Sequence, residues 1–133
     1  MLAGLTEEQA RRRLVPSSTT LLGLVKHAAF VERVWSDVAF LGRSRESLGL
    51  PEAVDDSFQL TPEDTVASVL TGYRAARADA ERIVGAMSLD ELALHNRRSP
   101  MSLRWVLLHL IGELAQHVGH GDILREQLLA ADS

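Results

Sequence analysis

The stretch that decides the fold is PMSLRWVLLHLIGELAQHVGHGDILREQLL, which runs from Pro100 to Leu129. Ser102 suits an N-cap, and the good helix formers that follow predict a long helix over about 102–129. Residues four apart lie on the same side of a helix. One side of this helix therefore carries groups that bind a proton or a metal, namely His109, Glu113, His117 and, one turn further on, His120.

A helical wheel at about 100° per residue separates these four side chains. The apolar face of the helix consists of Leu103, Leu107, Leu110, Leu114 and Val118. His117 falls within that face and Glu113 lies at its edge. His109 and His120 lie further round, towards the flank. Because an isolated buried carboxylate is very costly, Glu113 needs a metal, a proton or an arginine as its partner.

Two further long helices are predicted upstream. The first covers about 19–41 and ends at Gly42, which is typical of a helix C-terminus. The second is expected over 62–87, because the sequence TPED places Thr61 as an N-cap and Pro62 at the first helical position. The segment between them has no hydrophobic period, which indicates a loop or short helical turns.

The predicted fold is an all-α bundle. TEEQARRRL adds a short N-terminal helix, since Thr6 begins a capping box. No segment shows the sustained alternation that is typical of strands. From the pattern alone we expect the three long helices to pack as an antiparallel bundle. A chain of 133 residues can bury a core, so residues 1–133 are expected to form one domain.

His27 is a histidine on the core-facing side of the helix over 19–41. Its side chain projects on the same side as Leu24, Val31, Val34 and Val38. Lys26, Arg33 and Asp37 are expected on the opposite, solvent-facing side. A core histidine that bonds to a backbone carbonyl is the simplest explanation of His27 taken alone.

Together with Glu113 and His117 from another helix, His27 would complete a three-ligand site inside the bundle. Two imidazoles and a carboxylate suit Zn²⁺, Ni²⁺ or Fe²⁺, and three protein ligands leave coordination positions open for catalysis. The alternative is that Glu113 pairs with an arginine.

Composition excludes several classes of function. The net charge is −4 without a basic face, which argues against nucleic acid as a partner. No apolar run is long enough to span a membrane, and no signal peptide is evident. With no cysteine, the chain has no disulfide, no thiolate ligand and no cysteine nucleophile. We expect a cytoplasmic protein.

Two segments carry a resemblance to a known family. SSTTLLGLVKHAAFVERVW and LRWVLLHLIGELAQHVGHGDILRE resemble the DinB-like superfamily of metal-binding helix bundles. This superfamily includes mycothiol-dependent maleylpyruvate isomerase and the bacillithiol transferases, and the chain looks most like an uncharacterised group from high-GC bacteria. The resemblance implies an up-down-down-up bundle with His27, Glu113 and His117 as metal ligands. The E-x-x-x-H spacing is that of the maleylpyruvate isomerase branch.

The resemblance also implies a function. A divalent metal, zinc before nickel or iron, and a low-molecular-weight thiol of the mycothiol type would support S-transfer to small electrophiles or a thiol-dependent isomerisation. His109 or His120 is expected to orient the site or act as a base, and Arg104 to hold an anionic substrate. The alternative is a non-catalytic, stress-associated protein that binds metal or forms a dimeric interaction module.

One departure from the superfamily concerns the N-terminus. Its members have a long helix before the GLTEEQ turn, and this chain begins close to that turn. Three helices alone are expected to leave an apolar groove. We expect the groove to be filled by a second subunit in a homodimer, or by a helix encoded from an upstream start.

Overall fold

The computed structural model describes residues 1–133 and is built from four α-helices. They are α1 (Glu7–Arg11), α2 (Leu21–Arg33), α3 (Val66–Val84) and α4 (Leu103–Ala131). The two short strands β1 (Leu92–Ala93) and β2 (Met101–Ser102) pair antiparallel. The all-α prediction is confirmed. The two strands could not be predicted, because two residues are too few to show an alternating pattern. None of the helices has the combination of length and apolar character that crossing a membrane requires.

Helix α2 begins where the Thr20 hydroxyl accepts a hydrogen bond from the Gly23 backbone. It continues into a single π-helical turn, Val34–Val38, and the chain leaves the helix at Gly42, whose φ of 70° suits glycine. The predicted helix over 19–41 is therefore present, but a wider turn interrupts it near its end.

The predicted exposure of Asp37 is wrong because of this wider turn. Asp37 was expected to face solvent and is instead fully buried. It accepts hydrogen bonds from Arg33 at 3.2 Å and from Arg43 at 2.7 Å, which compensate the burial of its charge. A π turn rotates the residues that follow it away from the positions of an ideal α-helical wheel, so the wheel misplaced this side chain.

The predicted start of the third helix is also wrong, because α3 begins at Val66 with Thr65 as its N-cap. The TPED segment forms a tight turn in which the Asp64 carboxylate accepts a hydrogen bond from the Thr61 backbone at 2.7 Å. Asp64 also pairs with Lys26 of α2 at 2.7 Å. The aspartate that looked like a first-turn helix residue therefore ties the start of α3 to α2.

The relative direction of the helices differs from a simple antiparallel bundle and matches the down-down-up part of the order that the resemblance implied. Contacts from Lys26 to Asp64 and from Arg33 to Asp79 advance together along α2 and α3, so these two helices run parallel. Helix α4 runs antiparallel to α2, since Trp35 packs on Trp105 while the earlier residue His27 meets Glu113. The long segment over 42–65 carries the chain back along the bundle and permits this order.

The packed core lies at the end of the bundle where α1 meets α2. Its buried members are Leu2, Ala10, Leu21, Leu22, Leu24, Val69, Leu124 and Leu128. Further along, a mostly apolar groove of about 420 Å³ lies between α3 and α4. Ile111 lines this groove with 65% of its surface exposed, and Val118, expected in the apolar face, is 50% exposed. Helix α4 is apolar on several sides, so the wheel could not identify the packed one.

Candidate metal centre

The structure brings His27, Glu113 and His117 together, with three potential ligand atoms within 4.8 Å of one another. His27 reaches the cluster from α2 and is 3% exposed, whereas the other two lie one turn apart on α4. The Glu113 Oε2 atom is 3.6 Å from His27 Nε2 and 3.2 Å from His117 Nε2. The antiparallel contact of α2 with α4 therefore assembles a cluster from distant parts of the chain.

The donor set of this cluster fits a divalent metal. Ligands of tetrahedral zinc, at bonds of about 2.05 Å, lie about 3.3 Å apart. The separations of 3.2 and 3.6 Å from Glu113 to the two histidines bracket that value. Two imidazole nitrogens and one carboxylate oxygen also match a catalytic type of site, in which three protein ligands leave a position free.

A hydrogen bond to Ser57 determines how His27 presents its ring. The Ser57 hydroxyl donates to the Val54 carbonyl at 2.5 Å, so its oxygen is available to accept the His27 Nδ1–H at 2.7 Å. With the proton on Nδ1, the lone pair of Nε2 points towards Glu113. Phe58 stacks on the same imidazole, with ring centroids 4.0 Å apart. The ring is thus held in the tautomer and orientation that a metal ligand needs.

Electrostatics favours the same protonation state. Burial lowers the pKa of His27, and the neighbouring His117 lowers it further, while Glu113 acts in the opposite direction. The net lowering of the pKa disfavours the imidazolium form. His27 therefore needs to lose no proton before its Nε2 binds a metal at neutral pH.

Replacing Ser57 with alanine is expected to weaken metal binding by about 10- to 100-fold, the usual effect of losing an outer hydrogen-bond partner. The reason is that His27 Nδ1 would lose its acceptor in a buried position. Competition against a chromogenic chelator at pH 7 measures the affinity. Ser47→Ala, in an exposed turn, is the control. Equal affinities of the two variants would show that the Ser57 hydrogen bond does not orient the site.

His109 and His120 flank the cluster at opposite ends. His109 Nε2 lies 3.9 Å from Glu113 Oε1, and its ring stacks on Trp105 with centroids 4.9 Å apart. His120 is exposed, and its Nδ1 lies 3.4 Å from the Nδ1 of His117. Both residues are therefore neighbours of the cluster, and His109 alone faces the adjoining cavity.

That cavity has a volume of about 260 Å³ and opens beside His27 and Glu113. Its walls include three arginines from loops, namely Arg45, Arg97 and Arg98. Arg104, predicted to hold a substrate, does not line the cavity and pairs with Asp90 at 2.8 Å. Sequence reasoning missed the three arginines and Ser57 because they lie in segments without a period, where no pattern signals which side chains meet.

Comparison with known proteins bears on the whole chain. A family model described as mycothiol S-transferase matches residues 1–130. No curated protein and no solved structure matches the chain. The family match confirms the resemblance to DinB-like proteins that the sequence of α2 and α4 indicated. With nearly its full length matched, the chain belongs to the mycothiol S-transferase family.

Proposed function

We propose that this protein is a metal-dependent transferase that joins the sulfur of mycothiol to a small electrophile. The observation that carries the proposal is the cluster of His27, Glu113 and His117, of which the first two line a cavity, in a chain that belongs to the mycothiol S-transferase family. Because the chain contains no cysteine, the reacting sulfur has to come from a cosubstrate. Zinc is the proposed metal, with nickel and iron as alternatives that suit the same ligands.

The proposed reaction is a substitution at carbon. A sulfur–carbon bond forms, the bond to the leaving group breaks, and the leaving group departs with the bonding electron pair. A divalent metal held by His27, Glu113 and His117 supplies positive charge that favours the thiolate form of a bound thiol near neutral pH. The proton of the thiol passes to a base or to solvent.

His109 is the residue that we propose as this base. It lines the cavity and lies beside Glu113, so its Nε2 is within reach of a thiol that approaches the cluster. Packing between Trp105 and Trp35, with centroid distances of 4.9 and 5.1 Å, limits rotation of its ring. His120 is proposed to orient His117 through the contact between their Nδ1 atoms.

Cobalt substitution provides the test of thiol binding. Addition of mycothiol to the cobalt-loaded protein is expected to produce a sulfur-to-metal absorption band in the near ultraviolet and to alter the visible spectrum. S-methylated mycothiol is the control, since it has no thiol to deprotonate. The His117→Ala variant is expected to show neither change. A spectrum that mycothiol leaves unaltered in the wild-type protein would refute the proposed transferase function.

We also propose that a second copy of this chain covers the groove between α3 and α4. Leu108 and Ile111 of α4 are 64% and 65% exposed, and Ile111 lies in the apolar groove. A two-fold contact would bury the same face on both subunits. Light scattering after size exclusion is expected to give a dimer for the wild type and a monomer for Ile111→Glu. Ala130→Glu, at the exposed end of α4, is the control and should remain dimeric. A monomeric wild type would refute the dimer.

The runner-up function is a metal-binding dimeric module without catalysis. A dimer that holds metal, yet leaves the cobalt spectrum unaltered by mycothiol, would favour this second function. The exposed apolar groove is the observation that supports it.

A further inference from the structure

Arg45 is a buried cation without an acidic partner. It is 8% exposed, and its hydrogen bond is made by Nη1, which donates to the Glu52 backbone carbonyl at 2.7 Å. Its Nε is buried with no partner at all. The Glu52 carboxylate makes its ion pair with Arg97, and Arg45 makes none. An arginine stays protonated at any physiological pH, so the structure holds an unpaired buried charge.

The position of this charge links it to the metal centre. Arg45 lines the cavity that also contains His27 and Glu113, and its guanidinium lies over the Phe30 ring, 5.3 Å from the centroid. The contact with Phe30 and the bond to Glu52 restrain the guanidinium. A restrained planar fork is suited to recognising a carboxylate.

The charged side chains in the rest of the cavity are mostly positive, like Arg45. Arg97 and Arg98 lie at its walls, and its only acidic side chain is Glu113, which belongs to the metal cluster. The apolar part of the lining includes Val31, Val34, Trp35 and Val38. Positive charge beside low-dielectric walls creates a strong local potential for anions, although the net charge of the chain is −4.

We propose that Arg45 anchors the carboxylate of an electrophile whose apolar body packs against the valines and Trp35. This inference rests on the proposed transferase function and names the class of its second substrate, a carboxylate-bearing electrophile. The anion is assigned to the electrophile because mycothiol itself carries no carboxylate. Arg98 adds attraction from the cavity wall without direct contact, whereas the charge of Arg97 is paired with Glu52.

A binding experiment tests the anchor without any catalysis. The probes are 3-nitrobenzoate and 3-nitrobenzamide, which have nearly the same shape and differ in charge. Calorimetric titration of the zinc-loaded protein is expected to show at least about tenfold tighter binding of the benzoate, since a charge-assisted hydrogen bond supplies an effect of this size. Arg45→Met should abolish the preference. Arg74→Met, at an exposed position of α3, should retain it.

A transfer experiment tests the same preference in the reaction. The electrophiles are 4-chloro-3-nitrobenzoate and 4-chloro-3-nitrobenzamide, in which the sulfur of mycothiol replaces chlorine and chloride leaves. The ratio of kcat/KM for the acid and the amide is divided by the ratio of their uncatalysed rates. The wild type is expected to favour the acid about tenfold or more, and Arg45→Met to lose this preference.

Three results would overturn the proposal. The first is equal binding of the two probes by the wild type. The second is a preference that is lost in Arg104→Met and kept in Arg45→Met. The third is loss of benzoate binding in His117→Ala, which would assign the anion to the metal. If Arg45→Met does not fold, Arg98→Met at the cavity wall is expected to lower the preference about threefold, and an unchanged preference would contradict the proposal. Selective benzoate binding without transfer of either electrophile would support the anchor while refuting the transferase function.

Discussion

Protein purified without an affinity tag is expected to contain about one divalent metal per chain, and the His117→Ala variant almost none. The cluster offers three ligands, and removal of one leaves two, which is too few to hold zinc against dialysis. His27→Ala should have the same effect, because its Nε2 approaches the shared Glu113 carboxylate from the other helix. Elemental analysis by mass spectrometry after dialysis measures the metal content.

The control for this prediction is His95→Ala, since His95 lies outside the cluster and should leave the metal content unchanged. A second measurement separates loss of metal from loss of fold. Chelator treatment is expected to lower the Tm of the wild type, because a ligand that binds only the folded state stabilises it. The Tm of His117→Ala should not respond to chelator. Equally little metal in the wild type and in His117→Ala would refute the metal centre.

The part of the site that could be predicted from sequence depends on local geometry. The spacing from Glu113 to His117 specifies one side of a helix once the helix itself is recognised, and α4 extends only two residues beyond its predicted end at 129. His27 was identified because a histidine among valines and leucines on α2 is conspicuous. In both cases the 3.6-residue period placed the side chain on or near the core-facing side, and the resemblance to DinB-like proteins singled out these residues as metal ligands.

The parts that could not be predicted depend on contacts between distant segments. Asp64 pairs with Lys26 and lies outside α3, although the sequence predicts it in the first turn of that helix. The π-helical turn directs Asp37 inwards, where it pairs with Arg43. Ser57 and Arg45 lie in loops, where nothing in the sequence says which side chain will meet His27 or enter the cavity. The hydrogen bond between His27 and Ser57 and the buried guanidinium of Arg45 therefore became visible only in three dimensions.

Gly23 is a position where the fold and the candidate metal centre depend on the same contact. A Cβ atom added there would lie 2.6 Å from the Phe58 carbonyl oxygen and 3.0 Å from the Thr20 hydroxyl. The first distance is too short for any real contact, and the clash is with backbone, which cannot rotate away. Glycine at this buried position of α2 therefore permits the close approach of the turn Val54–Phe58.

Gly23→Ala is accordingly expected to destabilise the protein by about 1–3 kcal/mol, the usual cost of overpacking. The sign of this change in stability is informative, because alanine is intrinsically the better helix former by about 1 kcal/mol. Gly72→Ala is the matched control, since Gly72 lies within α3 and a Cβ there meets nothing within 4 Å. The free energy of unfolding of that variant is expected to exceed that of the wild type by about 0.5–1 kcal/mol. Urea denaturation monitored by circular dichroism measures both free energies of unfolding.

The same substitution is also expected to weaken binding at the candidate metal centre. Relief of the clash moves the Phe58 carbonyl away from α2, and the neighbouring Ser57 hydroxyl and Phe58 ring, which hold His27, move with it. Gly23→Ala is therefore expected to bind metal more weakly than Gly72→Ala under conditions where both are folded. If Gly23→Ala is as stable as the control and keeps wild-type metal affinity, the turn Val54–Phe58 is not held against α2, and the orienting role assigned to Ser57 fails with it.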